Sequence, residues 1–147
     1  MKRTLIIGAL LSLLMLSSLV GCGGGSEAAS LTKKQFVQRA KAICVAAETE
    51  QFNQGAAYME AHPGIEEEDA VVPAALPPIE KELEKLKKLP APDESQSQLA
   101  LFYEALEKAL ADTKKDPGSA LVQKDNPFDE ANNLAEQAGL EGCSSNP

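Results

Sequence analysis

Cysteine offers this chain most of its chemistry, and there are three: Cys22, Cys44 and Cys143. A thiol can be acylated, oxidised to a disulfide or bound to a metal. Zinc takes several His and Cys ligands, yet His62 is the one histidine, so no metal ligands are assigned. His62 lies in the breaker sequence His62-Pro63-Gly64 and reads as a surface cap at a helix end rather than as a catalytic base. No Gly-x-Ser-x-Gly elbow accompanies it, which argues against a serine hydrolase. Phosphate loops ending in Gly-Lys-Ser or Gly-Lys-Thr and alternating Asp loops with a central glycine are missing as well. The twenty-two acids admit many carboxylate pairs, but there is no Trp for a sugar to stack on. No catalytic residue and no cofactor-binding residue is expected.

The three thiols differ in their settings. Cys22 ends the run Leu19-Val20-Gly21-Cys22, behind the cationic start Lys2-Arg3 and an apolar stretch from Leu5 to Val20. This is a cationic region, an apolar region and a cut site. The apolar run is shorter than the roughly 20 residues of a permanent membrane-spanning helix, and no second one follows. Leu19 is too large for an ordinary signal peptidase. Apolar residues three and two before a cysteine, with glycine just before it, resemble the lipobox of bacterial lipoproteins. That resemblance implies a signal peptide over 1–21, diacylglycerol on the Cys22 thiol and an acylated (palmitate-type) amino group. Two or more acyl chains hold a protein stably on a bilayer where one is marginal. The alternative is a plain secretory peptide with Cys22 as an ordinary thiol.

Setting Cys22 aside for lipid leaves Cys44 and Cys143 as a pair in an oxidising compartment, with two separately buried thiols as the alternative. Removal of Lys2 and Arg3 makes a formal charge of −8 more negative still. An acidic surface repels nucleic acid and anionic headgroups, so no nucleic-acid partner is expected and the lipid is the membrane contact.

These groups must be positioned by the domain that follows. Residues 22–30 are mostly small and read as a flexible lipidated tether. Thr32 and Gln35 make a capping box flanked by Leu31 and Phe36, and Phe36, Ala40, Ile43, Cys44, Ala47 and Tyr58 recur at helical spacing with Phe52 beside them. The acidic run Glu66 to Asp69 reads as a helix start rather than a cation site. Val71 to Leu76 is ambiguous because Pro73, Pro77 and Pro78 interrupt it; Pro78 suits a first helical position, ahead of Ile79, Leu83, Leu86 and Leu89. Asp93 caps a third helix bearing Leu99, Phe102, Tyr103, Leu106, Ala109 and Leu110, with Glu104 and Lys108 on its outer face. Asn126 and Pro127 open a fourth, which Gly139 closes. No strand pattern appears. The expected fold is all-α, a four-helix antiparallel bundle over 31–143 with its second helix broken or kinked by prolines, one disulfide joining helix 1 to the C-terminus, and a tail over 144–147.

The lipobox, the opening Leu31-Thr32-Lys33-Lys34-Gln35-Phe36 leading to Ala42-Ile43-Cys44, the break Leu89-Pro90-Ala91-Pro92 and the ending Gly139-Leu140-Glu141-Gly142-Cys143 together resemble a group of small actinobacterial lipoproteins. That group has no established activity, so no functional residue carries over; the resemblance implies the outer face of the cytoplasmic membrane. The expected function is a non-catalytic, membrane-anchored binding domain for an envelope protein or cell-wall component. A small-ligand carrier with a pocket between helices is the alternative, since the many alanines either leave room or let helices approach.

Overall fold

The computed structural model describes residues 31–143, and every regular element among them is helical. The leader, Cys22, the tether and the tail expected over 144–147 lie outside the described residues. No described helix is long and apolar enough to cross a membrane.

Helix α1 (Lys33–Ala61) starts at the capping box. The Gln35 N–H donates to Thr32 Oγ1 at 3.3 Å and the Thr32 N–H donates to Gln35 Oε1 at 3.1 Å, so two otherwise orphaned donors are satisfied. It ends where His62 caps it: the His62 N–H meets the carbonyls of Tyr58 and Met59, its ring Nδ1 lies 2.9 Å from the Tyr58 carbonyl, and the two rings stack 4.1 Å apart. Its buried residues are Phe36, Ala40, Cys44 and Ala47, all in its first half.

The second expected helix is one rod with a widened turn. Helix α2 (Glu67–Ala70) runs through a π-type turn over Val71–Ala75 into α3 (Leu76–Lys87), and the joining residues keep right-handed helical angles. Pro73, Pro77 and Pro78 supply no N–H, and in an ordinary helix their rings would strike carbonyls four residues back. Within the wide turn the Leu76 N–H donates five residues back, to Val71, and the rod continues through its prolines. The start expected at Pro78 therefore moves back, with Pro77 and Pro78 inside the first turn of α3.

Helix α4 (Gln96–Lys115) begins later than expected. Asp93 opens a short 3₁₀ turn, Asp93–Ser95, and its carboxylate accepts from the Gln96 side chain at 3.1 Å instead of capping the backbone. Lys108 pairs with Asp112 at 3.1 Å, one turn beyond the expected Glu104 side. A second 3₁₀ turn spans Pro117–Leu121, and α5 (Asp129–Gln137) follows. Buried Asn126 joins these two: its Nδ2 donates to the Ala120 and Val122 carbonyls at 2.8 and 3.2 Å, and its Oδ1 accepts the Phe128 N–H at 2.9 Å. Gly139, at φ +74°, closes α5 with bonds from its own N–H to Glu136 and from the Leu140 N–H to Ala135. Only a residue without Cβ adopts that left-handed cap freely.

The core is continuous through Phe36, Ile79, Leu86, Phe102, Leu106 and Phe128, with α1 packed on α3 and α5 on α4. Ion pairs fasten α3 to both neighbours: Lys81 to Glu50 at 2.6 Å on α1, and Lys87 to Glu107 and Lys114 to Glu80 across α4. The Lys81 ammonium holds the Glu50 carboxyl below its ordinary range.

Candidate functional site

Two places combine unusual chemistry with unusual packing. The first is a groove along the second half of α1. That half outruns the core and has no buried residue. Opposite it stand α2, the π turn and Leu121 from the second 3₁₀ turn. The space between has a volume of about 860 Å³, and its walls carry Phe52, Met59, Ala70, Val71, Ala74 and Leu121. Small residues make the room, since Gly55 and Ala56 on one wall and three alanines on the other leave positions that larger side chains would fill. A Cβ at Gly55 would meet nothing within 4 Å.

Phe52 corrects an expectation. Helical spacing set it beside the buried face, but it is 77% exposed at the groove's edge, and Met59 and Leu121 are also exposed large apolar groups. Glu48 and Glu67 bring negative charge to the rim. No His or Cys lines the groove. Thr49 is engaged, its hydroxyl donating to the Val45 carbonyl at 2.9 Å. The alanines divide between the two alternatives: Ala40, Ala47, Ala70 and Ala74 are all buried, and the last two also line the groove together with Ala56 and Ala75.

The second place is the covalent clasp. Cys44, three turns into α1, is joined to Cys143 in the closing turn by a disulfide with a Cα–Cα distance of 4.9 Å and a sequence separation of 99, the pairing expected from the sequence. Beside it lies Glu82 of α3, which the sequence reading passed over. Glu82 is only 4% exposed and its Oε1 has no hydrogen-bond partner. Burial alone pushes its carboxyl up to about 7. The signal for it was present: Glu82 stands three residues after Ile79 and four before Leu86, on the apolar stripe itself. Thr113 of α4 has the other buried, unpartnered side-chain oxygen among the described residues. Tyr103, half-buried, donates its hydroxyl to the Leu86 carbonyl at 3.3 Å, and burial pushes that phenol up to about 12.

His62 sits at its cap, apart from both places. The Glu66 to Asp69 run begins α2, where negative charge suits the helix N-terminus. Comparison with family models, curated proteins and solved structures finds no match to this chain.

Proposed function

We propose that this protein is a lipid-anchored module of the cell envelope, held at the outer face of the cytoplasmic membrane through Cys22, whose helical domain binds a partner without catalysing a reaction. In this reading the domain is an antiparallel four-helix bundle. The ion pairs support that arrangement, because Lys87 faces Glu107 while Glu80 faces Lys114, opposite orders on α3 and α4.

The groove carries the functional reading. A domain of this size rarely leaves a large aromatic such as Phe52 mostly in water beside further apolar groups unless something covers them. The occupant that fits is an apolar segment of an envelope protein flanked by basic residues, its side chains entering between Phe52, Met59 and Leu121 and its cations meeting Glu48 and Glu67. A small apolar ligand is the second reading, favoured by a volume within the roughly 300–1,000 Å³ range of small-molecule sites.

A photo-crosslinking amino acid at Phe52, with exposed Glu94 as the control position, tests this in intact envelopes. An adduct is expected at Phe52 alone, lost when Met59→Asp is added; its mass separates a protein from a small ligand. Equal labelling at both positions, or none at Phe52, removes the groove as the binding surface. Intact mass of the envelope-purified protein with and without reduction tests the anchor, and an unmodified Cys22 would refute it.

A further inference from the structure

Three elements bring one donor each to a single buried point. Cys44 comes from α1, Glu82 from α3 and Cys143 from the closing turn, and their two sulfurs and one carboxylate oxygen lie within 4.8 Å of one another. All three residues are buried, and Glu82 Oε1 has no partner. A polar group removed from water without a partner is destabilising unless something else meets it, and the disulfide sulfurs are poor acceptors and carry no donor. In the oxidised protein Glu82 Oε1 therefore has nothing to bond. Opening the disulfide changes what faces it, from two bonded sulfurs to two ionisable thiols.

We propose that the reduced protein binds a divalent cation of the zinc class through the sulfurs of Cys44 and Cys143 and the carboxylate of Glu82, so that disulfide and metal are alternative closures of the same core. Zinc–sulfur bonds of about 2.3 Å and zinc–oxygen bonds of about 2.0–2.2 Å place tetrahedral ligand atoms roughly 3.5–3.8 Å apart. The three ligand atoms lie within 4.8 Å of one another, and once the sulfurs are no longer bonded, side-chain rotation has to part them and bring all three to that spacing. Two thiolates select zinc-like ions over magnesium or calcium, which prefer all-oxygen shells. Three protein ligands leave a fourth position for water.

The chemistry balances. A dithiol reductant delivers two electrons and two protons to the Cys44 and Cys143 sulfurs and leaves as its own disulfide. Metal binding then releases the two thiol protons, together with the Glu82 proton when that carboxyl is protonated. Access is through the cover: Leu140 to Cys143 is a short turn, closed by the Cys143 N–H on the Leu140 carbonyl at 2.9 Å and passing through Gly142 at φ +91°. The dithiol state is also the one in which a chain exists before an oxidising compartment closes its bonds. None of this depends on the groove.

The full chain carrying Cys22→Ser, which removes the remaining thiol, is reduced with dithiothreitol, desalted without oxygen and titrated with Co²⁺. One Co²⁺ per chain is expected, with thiolate-to-cobalt charge transfer and the absorption of a tetrahedral ion; Zn²⁺ displaces it, and the oxidised chain binds none. Glu82→Gln is expected to weaken binding at least about tenfold, comparable to the loss of a supporting ligand contact. In parallel, Zn²⁺ raises the unfolding temperature of the reduced chain, or refolds it if reduction has unfolded it. Unchanged affinity in Glu82→Gln, a folded reduced chain without the thiolate–cobalt band, or an unfolded one that Zn²⁺ does not refold would overturn the proposal.

Discussion

Glu82 shows how one residue can set the pH response of a whole domain. Its carboxyl titrates near 7 in the fold against an ordinary 4.5, and desolvation is the cause; no neighbouring charge contributes. The folded state thus holds the proton more tightly than the unfolded state does. Stability is full below about pH 4.5, falls as pH rises toward 7 and levels above it, by an amount on the order of 3 kcal/mol at most. The exposed carboxyls of Glu50 and Asp112 are shifted the other way by their lysines, and their losses come at more acid pH, outside that window. Glu82→Met keeps the volume and removes the charge, so it should stabilise the oxidised domain at pH 8 by about 1–3 kcal/mol and change it little at pH 5. Urea unfolding at the two pH values measures this, and equal gains at both would show that ionisation of Glu82 is not the cause.

At the scale of elements, a side-chain cap marks where α1 begins, and the joins decide how the later helices sit. Asn126 is the strongest join, with a buried amide bonded to Ala120, Val122 and Phe128, so it fixes the second 3₁₀ turn against the start of α5. Asn126→Ala strands two carbonyls and one N–H and is expected to cost about 2–3 kcal/mol, where an exposed cap costs about 1. Chemical denaturation would show it, and a loss under about 0.5 kcal/mol would mean water replaces the side chain without penalty. Capping signals were legible in part: the Thr32 box and Gly139 stand where their residue types placed them, whereas Asn126, expected to cap the fourth helix ahead of Pro127, lies in the turn before it, and α5 starts only at Asp129. The proline-rich stretch was not legible, because each proline counts against a helix by itself and only a widened turn lets three coexist in one rod. The groove was hidden for another reason. Periodicity tells which residues of α1 share a face, but not that the second half of the helix extends past the elements covering the first. Phe52 therefore looked like core and stands in water. Glu82 was readable from its place on the stripe of α3, though only the fold could put it beside the two sulfurs.

The whole molecule divides along α1. Its first half is clasped, with Phe36, Ala40, Cys44 and Ala47 buried and the disulfide binding it to the chain end; its second half is open and forms one wall of the groove. The disulfide closes a loop that includes α3, α4 and α5, so in the chain-entropy picture it restrains most of the unfolded domain, contributing up to about 4.7 kcal/mol for a loop near 100 residues. In the native state its hold acts at one end of the fold, where the buried Cys143 follows the short closing turn after α5 and its N–H donates to the Leu140 carbonyl. Cutting it should therefore lower global stability by a few kcal/mol while loosening one end of the fold first. Cys44→Ser with Cys143→Ser is expected to speed hydrogen exchange in residues 138–143 and the last turn of α5 well before the groove walls at residues 48–59 and 70–75 respond. The geometry behind this is the separation of the two places on α1, where the groove half is held by Lys81 on Glu50 and by the π turn rather than by the clasp. Exchange that rose equally in both regions would mean that the clasp and the groove form one cooperative unit, and the binding surface would then depend on the redox state of the disulfide.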